Sequence, residues 1–484
     1  MVTDSVASVA QAQPGLDAER VQAFIDHFHG LVQQPGDAGY DEARKVRNGM
    51  IDRRPALIAH CAGVADVVQA VHFARDHGLL LSVRGGGHNV AGSAVNDGGL
   101  VIDLSSMRSV HVDRHTQTAR VEGGATWGDV DRETQLYGLA TPGGVVSSTG
   151  VGGLTLHGGY GHLRRKHGLS IDNLVSAEIV TADGQVRHAS AEENADLFWA
   201  IRGAGSNFGV VTSFEFQLHP VGPEVFLAAA VYSLEDGQTV LRAWRDFMMH
   251  APDEINSLAL CWGVPEFGFP PELARQPVVV TPAVYVGPVD EGERVLQPLR
   301  ELATPLLDIS GPHMFAELQS AFDPFFPAGL HLYWKSTYID DMSDAAIDVV
   351  LTRAACRPSF KDAVTLWHLG GAVSRVGTED TAYGRRDAPF LLAAEATWDE
   401  GADDERNIAW SRETVAAMKP FSKGGSYLNF GGFGEEKEAQ LRDAYGPNYD
   451  RLATLKGTYD PDNLFRMNLN IKPVAPAQPS ERRA

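Results

Sequence analysis

Two stretches of this sequence carry residue types that do chemistry only where the backbone around them is unusual. Between Gly143 and Gly161 there are eight glycines in nineteen positions. A stable helix interior does not tolerate that density, since each glycine costs about 1 kcal/mol relative to alanine there. Glycine lets backbone amides approach a ligand closely and take positive φ, so clustered N–H groups can form a concave site for a pyrophosphate. A set of tight turns in an all-β segment is the alternative. Upstream, Arg84-Gly85-Gly86-Gly87-His88-Asn89 follows an apolar run at 79–83, and loops at strand ends commonly hold chemistry. No G-x-G-x-x-G and no G-x-x-x-x-G-K-[ST] occurs, because Gly203-Ala204-Gly205 is followed by Ser206-Asn207-Phe208-Gly209, one residue too long. Phosphate cradling without either fingerprint points to a different dinucleotide fold.

These loops sit in a chain of 484 residues, more than one hydrophobic core usually organises, so two domains or one with a large insertion are expected. With 44% hydrophobic residues, 21% charged residues and 50 glycines the chain reads as globular and loop-rich. A formal charge of -21 repels phosphate backbones and anionic headgroups, so a nucleic-acid or membrane partner would need a local basic patch. The nearest candidate, Arg164-Arg165-Lys166-His167, lies in the glycine-rich region, where it would meet a cofactor phosphate, an internal carboxylate or simply solvent. Cys61, Cys261 and Cys356 are odd in number and far apart, which argues against a disulfide framework and suits a reducing compartment. They show no metal spacing, and no metal is expected. The opening lacks a basic start with an apolar run, and no stretch reaches the roughly 18 apolar residues of a membrane span. A cytoplasmic monomer or homodimer with small-molecule partners is expected.

The elements that position the loops read as follows. Residues 1–50 are a tip and a helix in which Val21, Phe24, Ile25 and Phe28 recur at helical spacing. From Pro55 a strand, helix, strand unit is expected: a run at 56–61, a helix with Val64, Val67, Val68 and Val71 on one face, and the run at 79–83. Further strands fall at 100–104, 118–122, 177–181 and 210–218, and Thr126 can cap a helix through Tyr137. Beyond Pro220, apolar runs at 278–286, 330–339 and 363–369 alternate with helices such as the one carrying Val240, Leu241, Trp244, Phe247 and Met248, an α+β pattern. The expected organisation is an N-terminal helix and tail (1–50), a first domain (51–221), a second domain with a mainly antiparallel sheet covered by helices (222–424), a segment returning to the first domain (425–475) and a tail (476–484). His313, Tyr333, Trp334, Trp367 and His368 would line a pocket in the second domain or belong to its core.

RGGGHNVAGSA (84–94), TPGGVVSSTGVGGLTLHGGYGHLRRKHGLSIDNL (141–174), DLFWAIRGAGSNFGVVTSFEF (196–216) and YDPDNLFRMNLNI (459–471) together resemble the berberine bridge enzyme-like flavoprotein oxidases of the vanillyl-alcohol oxidase superfamily. The match runs in order over nearly the whole chain. It implies a two-part PCMH-type FAD-binding domain with a central substrate domain. It implies that His88 is linked to the 8α-methyl carbon of FAD, chemistry that suits a neutral imidazole nucleophile. By the same resemblance Arg84, Gly85, Gly86, Gly87, Asn89, Gly92 and Ser93 of the first loop surround the cofactor. So do Pro142, Gly143, Gly144, Ser148, Thr149, Gly150, Gly152, Gly153, Leu154, Gly158, Gly159 and Gly161, together with Val210. Asn468 and Asn470 match a segment beside the isoalloxazine ring, or are turn and cap asparagines. Many relatives add a second bond from a cysteine that aligns here with Val146, so a single linkage is expected.

Tyr427-Leu428-Asn429 matches the family's Y-x-N motif, whose tyrosine is its proposed base, making Tyr427 and Asn429 the catalytic candidates; a buried structural tyrosine is the alternative. With a free pKa of about 10, tyrosine is a poor base at neutral pH, so the site must favour phenolate or couple proton loss to hydride departure. Lys335, in YWKSTYI, is a candidate electrostatic helper or an exposed lysine. The resemblance implies an FAD-dependent oxidase that removes a hydride from a small organic substrate and passes electrons to molecular oxygen, giving hydrogen peroxide. The substrate is expected to be a secondary metabolite, alkaloid or alcohol rather than an oligosaccharide. The alternatives are a flavin-dependent oxygenase of a polyketide-like substrate and a flavin-binding protein without turnover.

Overall fold

The run at 56–61 and its neighbours pair as a small sheet. In the computed structural model, which describes residues 16–401, 403–433 and 437–474, strands Leu57–His60 and Leu81–Arg84 flank Leu100–Asp103 and run parallel to it, with Leu31–Gln33 antiparallel at the edge. Parallel strands need a crossover, and the helix Val64–Asp76 supplies it, burying Val67, Ala70, Val71 and Ala74. The helix Ala18–His27 buries Val21 and Phe24, and Phe24 stacks on Phe73 at 4.3 Å. The expected tip before residue 16 and the tail at 476–484 lie outside the described residues.

A second sheet is wholly antiparallel, in the order Val110–Asp113, Thr118–Glu122, Val210–Gln217, Leu174–Val180, Val186–Ser190. Thr126 caps the helix Trp127–Thr134 in a reciprocal box with Asp129. The glycine density excludes a long helix, yet one turn, Val151–Thr155, forms through Gly152 and Gly153. Gly152 is packed so closely that a Cβ there would lie 3.2 Å from the Gly123 carbonyl oxygen.

The third sheet has ten strands, and its site-bearing part pairs Ile255–Gly263, Ala363–His368, Phe390–Trp398 and His331–Ile339 antiparallel in that order. Side chains alternate between faces along each strand. Ala259, Cys261, Val364, Leu366, Leu392, Ala394, Tyr333 and Ile339 share a core with Trp244, Ile347 and Trp410 of the covering helices. Residues of the opposite parity, among them Leu258, Leu260, Trp367, Tyr338 and Leu391, form a separate cluster with Tyr160 and Tyr427. The run expected as one strand at 278–286 is two, Pro277–Val280 and Ala283–Tyr285, because Pro282 has no N–H to continue the ladder.

The basic run is neither a phosphate grip nor a solvated turn. Arg164 and Arg165 are buried. Arg164 donates to the carbonyls of His368 at 2.7 Å and Ser257 at 2.6 Å, and Arg165 to those of Ile255 at 2.7 Å and Leu369 at 3.2 Å. Asp253, 3.9 Å from Arg165, is its internal carboxylate. These bonds fasten the glycine-rich region to the large sheet. Among the described residues no helix is long and apolar enough to cross a membrane.

The C-terminal segment packs against the second sheet, where Leu452, Ala453 and Ile471 share a core with Val211, Phe214 and Phe216. Asn207 accepts from the Ile471 N–H at 2.9 Å and donates to the Leu469 carbonyl at 3.0 Å. Lys456, fully buried, donates to Asp460 at 2.6 Å and to the carbonyls of Asn207 and Phe465 at 2.7 and 2.8 Å. Removing one member of a buried ion pair strands the other charge, at a cost of about 3–5 kcal/mol. Lys456→Ala is therefore expected to lower the urea midpoint by that much stability, and adding Asp460→Asn to recover a large part of it.

Candidate active site

The two glycine loops meet backbone to backbone. A Cβ at Gly86 would lie 2.4 Å from the Gly150 nitrogen, and one at Gly150 would lie 2.3 Å from the Gly86 nitrogen, so no other residue fits at either position without moving a loop. The contact sets His88 beside the glycine-rich segment, with Nε2 3.1 Å from Ser148 Oγ and Nδ1 3.3 Å from Thr149 Oγ1. Arg47 Nη1 stands 3.2 Å from the same Nε2. Burial, reinforced by the Arg47 charge, holds the His88 pKa down at about 3, so its imidazole is neutral across the physiological range.

A cleft runs from these loops to the bare face of the large sheet. Gly85, Gly86, Gly87, His88, Asn89 and Ser93 line it from the first loop, and Gly144, Thr149, Gly150, Gly152, Gly153 and Leu154 from the second. Asn468, Tyr427 and Asn429 also line it, as does the apolar Val146. Others expected at the site stand back from the wall. Arg84 turns away to bond Asp103 at 3.2 Å. Pro142 accepts from Ser170 at 2.7 Å, and Gly143 packs on the Trp127 ring. Gly92 packs on Ile51, and Gly161 lies against the Gly143 carbonyl. Val210 is displaced from the wall by its neighbours Gly209 and Val211, which line it instead. Ser148 touches His88 from outside, and Asn470, not a lining residue, has a buried side-chain oxygen with no hydrogen-bond partner. Of the five expected pocket residues in the second domain, Trp334 and Trp367 line the cleft and His313, Tyr333 and His368 do not. Lys335 also does not, since it shares the parity of Tyr333 on the strand His331–Ile339.

Tyr427 is 2% exposed, and its position is fixed from two sides. Its backbone N–H donates to Ser336 Oγ at 3.0 Å and its carbonyl accepts from the same hydroxyl at 3.2 Å. Its phenolic oxygen receives three donors: the backbone N–H groups of Gly159 at 3.2 Å and Tyr160 at 3.3 Å, and Asn429 Nδ2 at 2.8 Å. Gly158 and Gly159 therefore serve behind the wall, with φ of +116° and +90° turning the chain so that the amides at 159 and 160 face the phenol. Burial drives the Tyr427 pKa above the ordinary value, and the donors from Asn429, Tyr160 and Gly159 oppose it. The group is a phenol in this site, and negative charge developing on its oxygen meets three aimed N–H dipoles.

Sequence comparison gives the arrangement its family. Residues 55–190 match the FAD binding domain family and residues 426–472 the berberine and berberine-like family. The chain is 35% identical over 460 residues to (R)-6-hydroxynicotine oxidase of Paenarthrobacter nicotinovorans, covering 92% of this chain and 97% of that one. It is 32% identical over 457 residues to an FAD-linked oxidoreductase of Dictyostelium discoideum, covering 94% and 97%. This chain belongs to the berberine-like family of FAD-linked oxidoreductases. The crystal structure of 6-hydroxy-D-nicotine oxidase from Arthrobacter nicotinovorans matches its fold with a TM-score of 0.82 at 33% identity, covering 92% of this chain and 98% of that one. The fold is thus the α+β PCMH-type, with a mainly antiparallel central sheet.

The residues fit the FAD of the berberine-like family. The cleft offers bare backbone at Gly85, Gly86, Gly150, Gly152 and Gly153, a cradle that a Cβ at Gly86 or Gly150 would disrupt. Several lining groups carry no motif signal: Arg47, Thr365, Glu395, Phe322, Phe326 and Phe430. Arg47 is isolated in VRNGM, and the strand residues are recognisable only once their parity is known. The close approach of the loops makes a direct prediction. Gly150→Ala is expected to purify with about tenfold less flavin or worse, since 1.4 kcal/mol of lost binding suffices for that. Gly63→Ala, where nothing lies within 4 Å of the new Cβ, should keep its flavin; absorbance of the bound flavin relative to protein decides.

Proposed function

We propose that this protein is an FAD-dependent oxidase that removes a hydride from a small organic substrate and delivers the electrons to molecular oxygen, releasing hydrogen peroxide. The observation that carries this reading is Tyr427, whose oxygen receives three N–H donors on the wall of the cleft that also holds His88. Bound in the cleft, FAD supplies the two-electron acceptor. His88, neutral and next to Thr149, is the attachment residue, and because Val146 has no nucleophile the link is single. Tyr427 gives its own proton to solvent and, as the phenolate, takes the substrate's; the donors from Gly159, Tyr160 and Asn429 stabilise that phenolate against the burial that opposes it. Trp334, Trp367, Phe322 and Phe430 exclude water and favour an aromatic or alicyclic substrate, such as a secondary metabolite or alkaloid, over an oligosaccharide. Three free cysteines far apart in the chain suit the cytoplasm.

Acid precipitation tests the linkage. The wild type is expected to carry its flavin into the pellet and His88→Ala to release it; release from the wild type would refute a covalent bond. Because protonation destroys the imidazole nucleophile and the His88 pKa is held at about 3, attachment of FAD to apoprotein should proceed at a constant rate from pH 8 down to pH 5. A loss centred near the ordinary histidine value of about 6.5 would contradict the neutral, buried imidazole. Tyr427→Phe should keep its flavin and slow anaerobic flavin reduction by about 10²–10⁴, with one peroxide per substrate oxidised in the wild type.

A further inference from the structure

The strand Phe390–Trp398 turns Leu391, Ala393 and Glu395 toward the cleft, and Glu395 sits in register opposite Trp334 on one neighbouring strand and Ala363 on the other. It is the one acidic residue among the described residues that line the cleft. The residue is 7% exposed, and no described cation forms an ion pair with it. The polar group beside it is Thr365, whose hydroxyl opposes the effect of burial on the carboxyl and has no other hydrogen-bond partner. The indole N–H groups of Trp334 and Trp367 are buried and unmet as well. Native interiors satisfy buried polar atoms with few exceptions, so a cluster of unmet ones on a cavity wall is complementary to a ligand.

The surroundings specify the ligand's charge. Arg47 is the only Arg or Lys among the described lining residues, and it is engaged at the other end with His88. His157, also on the wall, is kept neutral by burial, its pKa lowered to about 4. Around Glu395 the wall is aromatic: Phe430 lies 5.5 Å from Trp334 and 6.3 Å from Trp367, ring centre to ring centre. Aromatic faces attract cations; one face of Trp367 already holds Arg164, 5.0 Å from the ring centre, which leaves Trp334 and Phe430 beside Glu395, and a chain of net charge -21 draws cations to itself. The indole N–H groups are donors and an ammonium has no lone pair to offer them, so they require an acceptor elsewhere on the ligand, while a basic nitrogen is what can take up the Glu395 proton and pair with the carboxylate it leaves.

We infer that Glu395 is a specificity-determining residue of the substrate site, and that its carboxyl, with Thr365 beside it, receives the basic nitrogen of an arylalkyl amine, one whose nitrogen sits on an aliphatic carbon next to an aromatic ring. This rests on the proposed binding of substrate between the large sheet and the flavin. Burial pushes the Glu395 pKa up to about 8, so the carboxyl is protonated at neutral pH until a cation pairs with it. An arriving ammonium displaces that proton to solvent; an arriving free amine accepts it. Either way the product is the same ammonium–carboxylate pair. Affinity for an ammonium should accordingly rise with pH up to about 8 and fall once the amine itself deprotonates, roughly at 10 as for a lysine.

The test uses 2-phenylpropan-2-amine and 2-phenylpropan-2-ol, matched in shape and without a hydrogen on the carbon bearing nitrogen or oxygen, so neither can give up a hydride. Each is titrated anaerobically into flavin-loaded wild type and Glu395→Gln at pH 8.5, and binding is read from the flavin absorbance. The wild type is expected to prefer the amine by about tenfold or more, as a charge-assisted hydrogen bond predicts. Glu395→Gln should erase the preference while changing affinity for the alcohol by no more than about twofold, with flavin content and thermal midpoint unchanged. Equal affinities in the wild type, or a preference that survives in the variant, would overturn the role of Glu395 and leave the substrate site standing. If neither ligand perturbs the flavin of a loaded protein, the placement of substrate falls, and the assignment falls with it.

Discussion

The backbones of Gly86 and Gly150 touch, and the geometry of the candidate site hangs on that contact. His88 lies two residues beyond one glycine and Thr149 one residue before the other, so the distance between loops fixes the distance between the imidazole and its neighbours. The contact is rooted on the side of the parallel strands. Arg84, the last residue before the glycines, bonds Asp103 at the end of the adjacent strand, and His60 reaches the same carboxylate at 3.1 Å. Burial alone would raise the Asp103 pKa, but His60 and Arg84 hold it well below the carboxylate range, which keeps the root charged and tied. The other side is rooted through Arg164 and Arg165, whose donors are spent on carbonyls of the large sheet.

Strand parity divides the large sheet between stability and chemistry. One face is closed by helices that carry Trp244, Ile347 and Trp410; the other is left for Trp334, Ser336 and Tyr338 on one strand and Leu391, Ala393 and Glu395 on the next. A shift of one residue in register would exchange the two sets, so the register that packs the core also presents the site. Ser336 shows the coupling, because its hydroxyl satisfies both backbone groups of Tyr427 and thereby places the phenol opposite the amides of Gly159 and Tyr160. Those amides belong to the glycine-rich stretch, so Tyr427 joins the two halves of the cleft.

What was legible in the sequence follows from how local each requirement is. A backbone contact that excludes every Cβ leaves glycines at fixed places, so a ligand-cradling backbone at 143–161 was readable from residue type, with tight turns as the alternative, while Tyr427 and Asn429 were found through the resemblance to the family's Y-x-N motif. The strands at 118–122 and 363–369 and the helix that Thr126 caps were likewise written in local alternation and capping chemistry. Requirements met across the fold left no such mark. Arg164 and Arg165 were expected to meet a cofactor phosphate, an internal carboxylate or solvent, whereas most of their partners are backbone carbonyls about ninety to two hundred residues away in sequence. Val210 was expected at the wall from the resemblance, but alternation gives that place to its neighbours Gly209 and Val211. FLLAAEATW reads as a strand buried on both faces, and nothing in it says which face Glu395 takes.

The lining of the cleft is kept almost free of charge, and this follows from burial rather than from any one residue. Desolvation lowers the pKa of a base and raises that of an acid, so His88 is neutral, Tyr427 is a phenol and Glu395 keeps its proton near neutral pH. Each is thereby left in the form that a ligand can change. The imidazole has a free lone pair, the phenol oxygen already holds the donors that a phenolate needs, and the carboxyl can lose its proton when a cation arrives. Charge enters with the ligands, in a medium where each unit of it interacts more strongly than in water. That same medium makes the geometry of Gly159, Tyr160 and Asn429 effective only when water is absent. On the proposed function, the aromatic wall around Trp334, Trp367 and Phe430 is therefore as much a part of the proton transfer as the donors themselves.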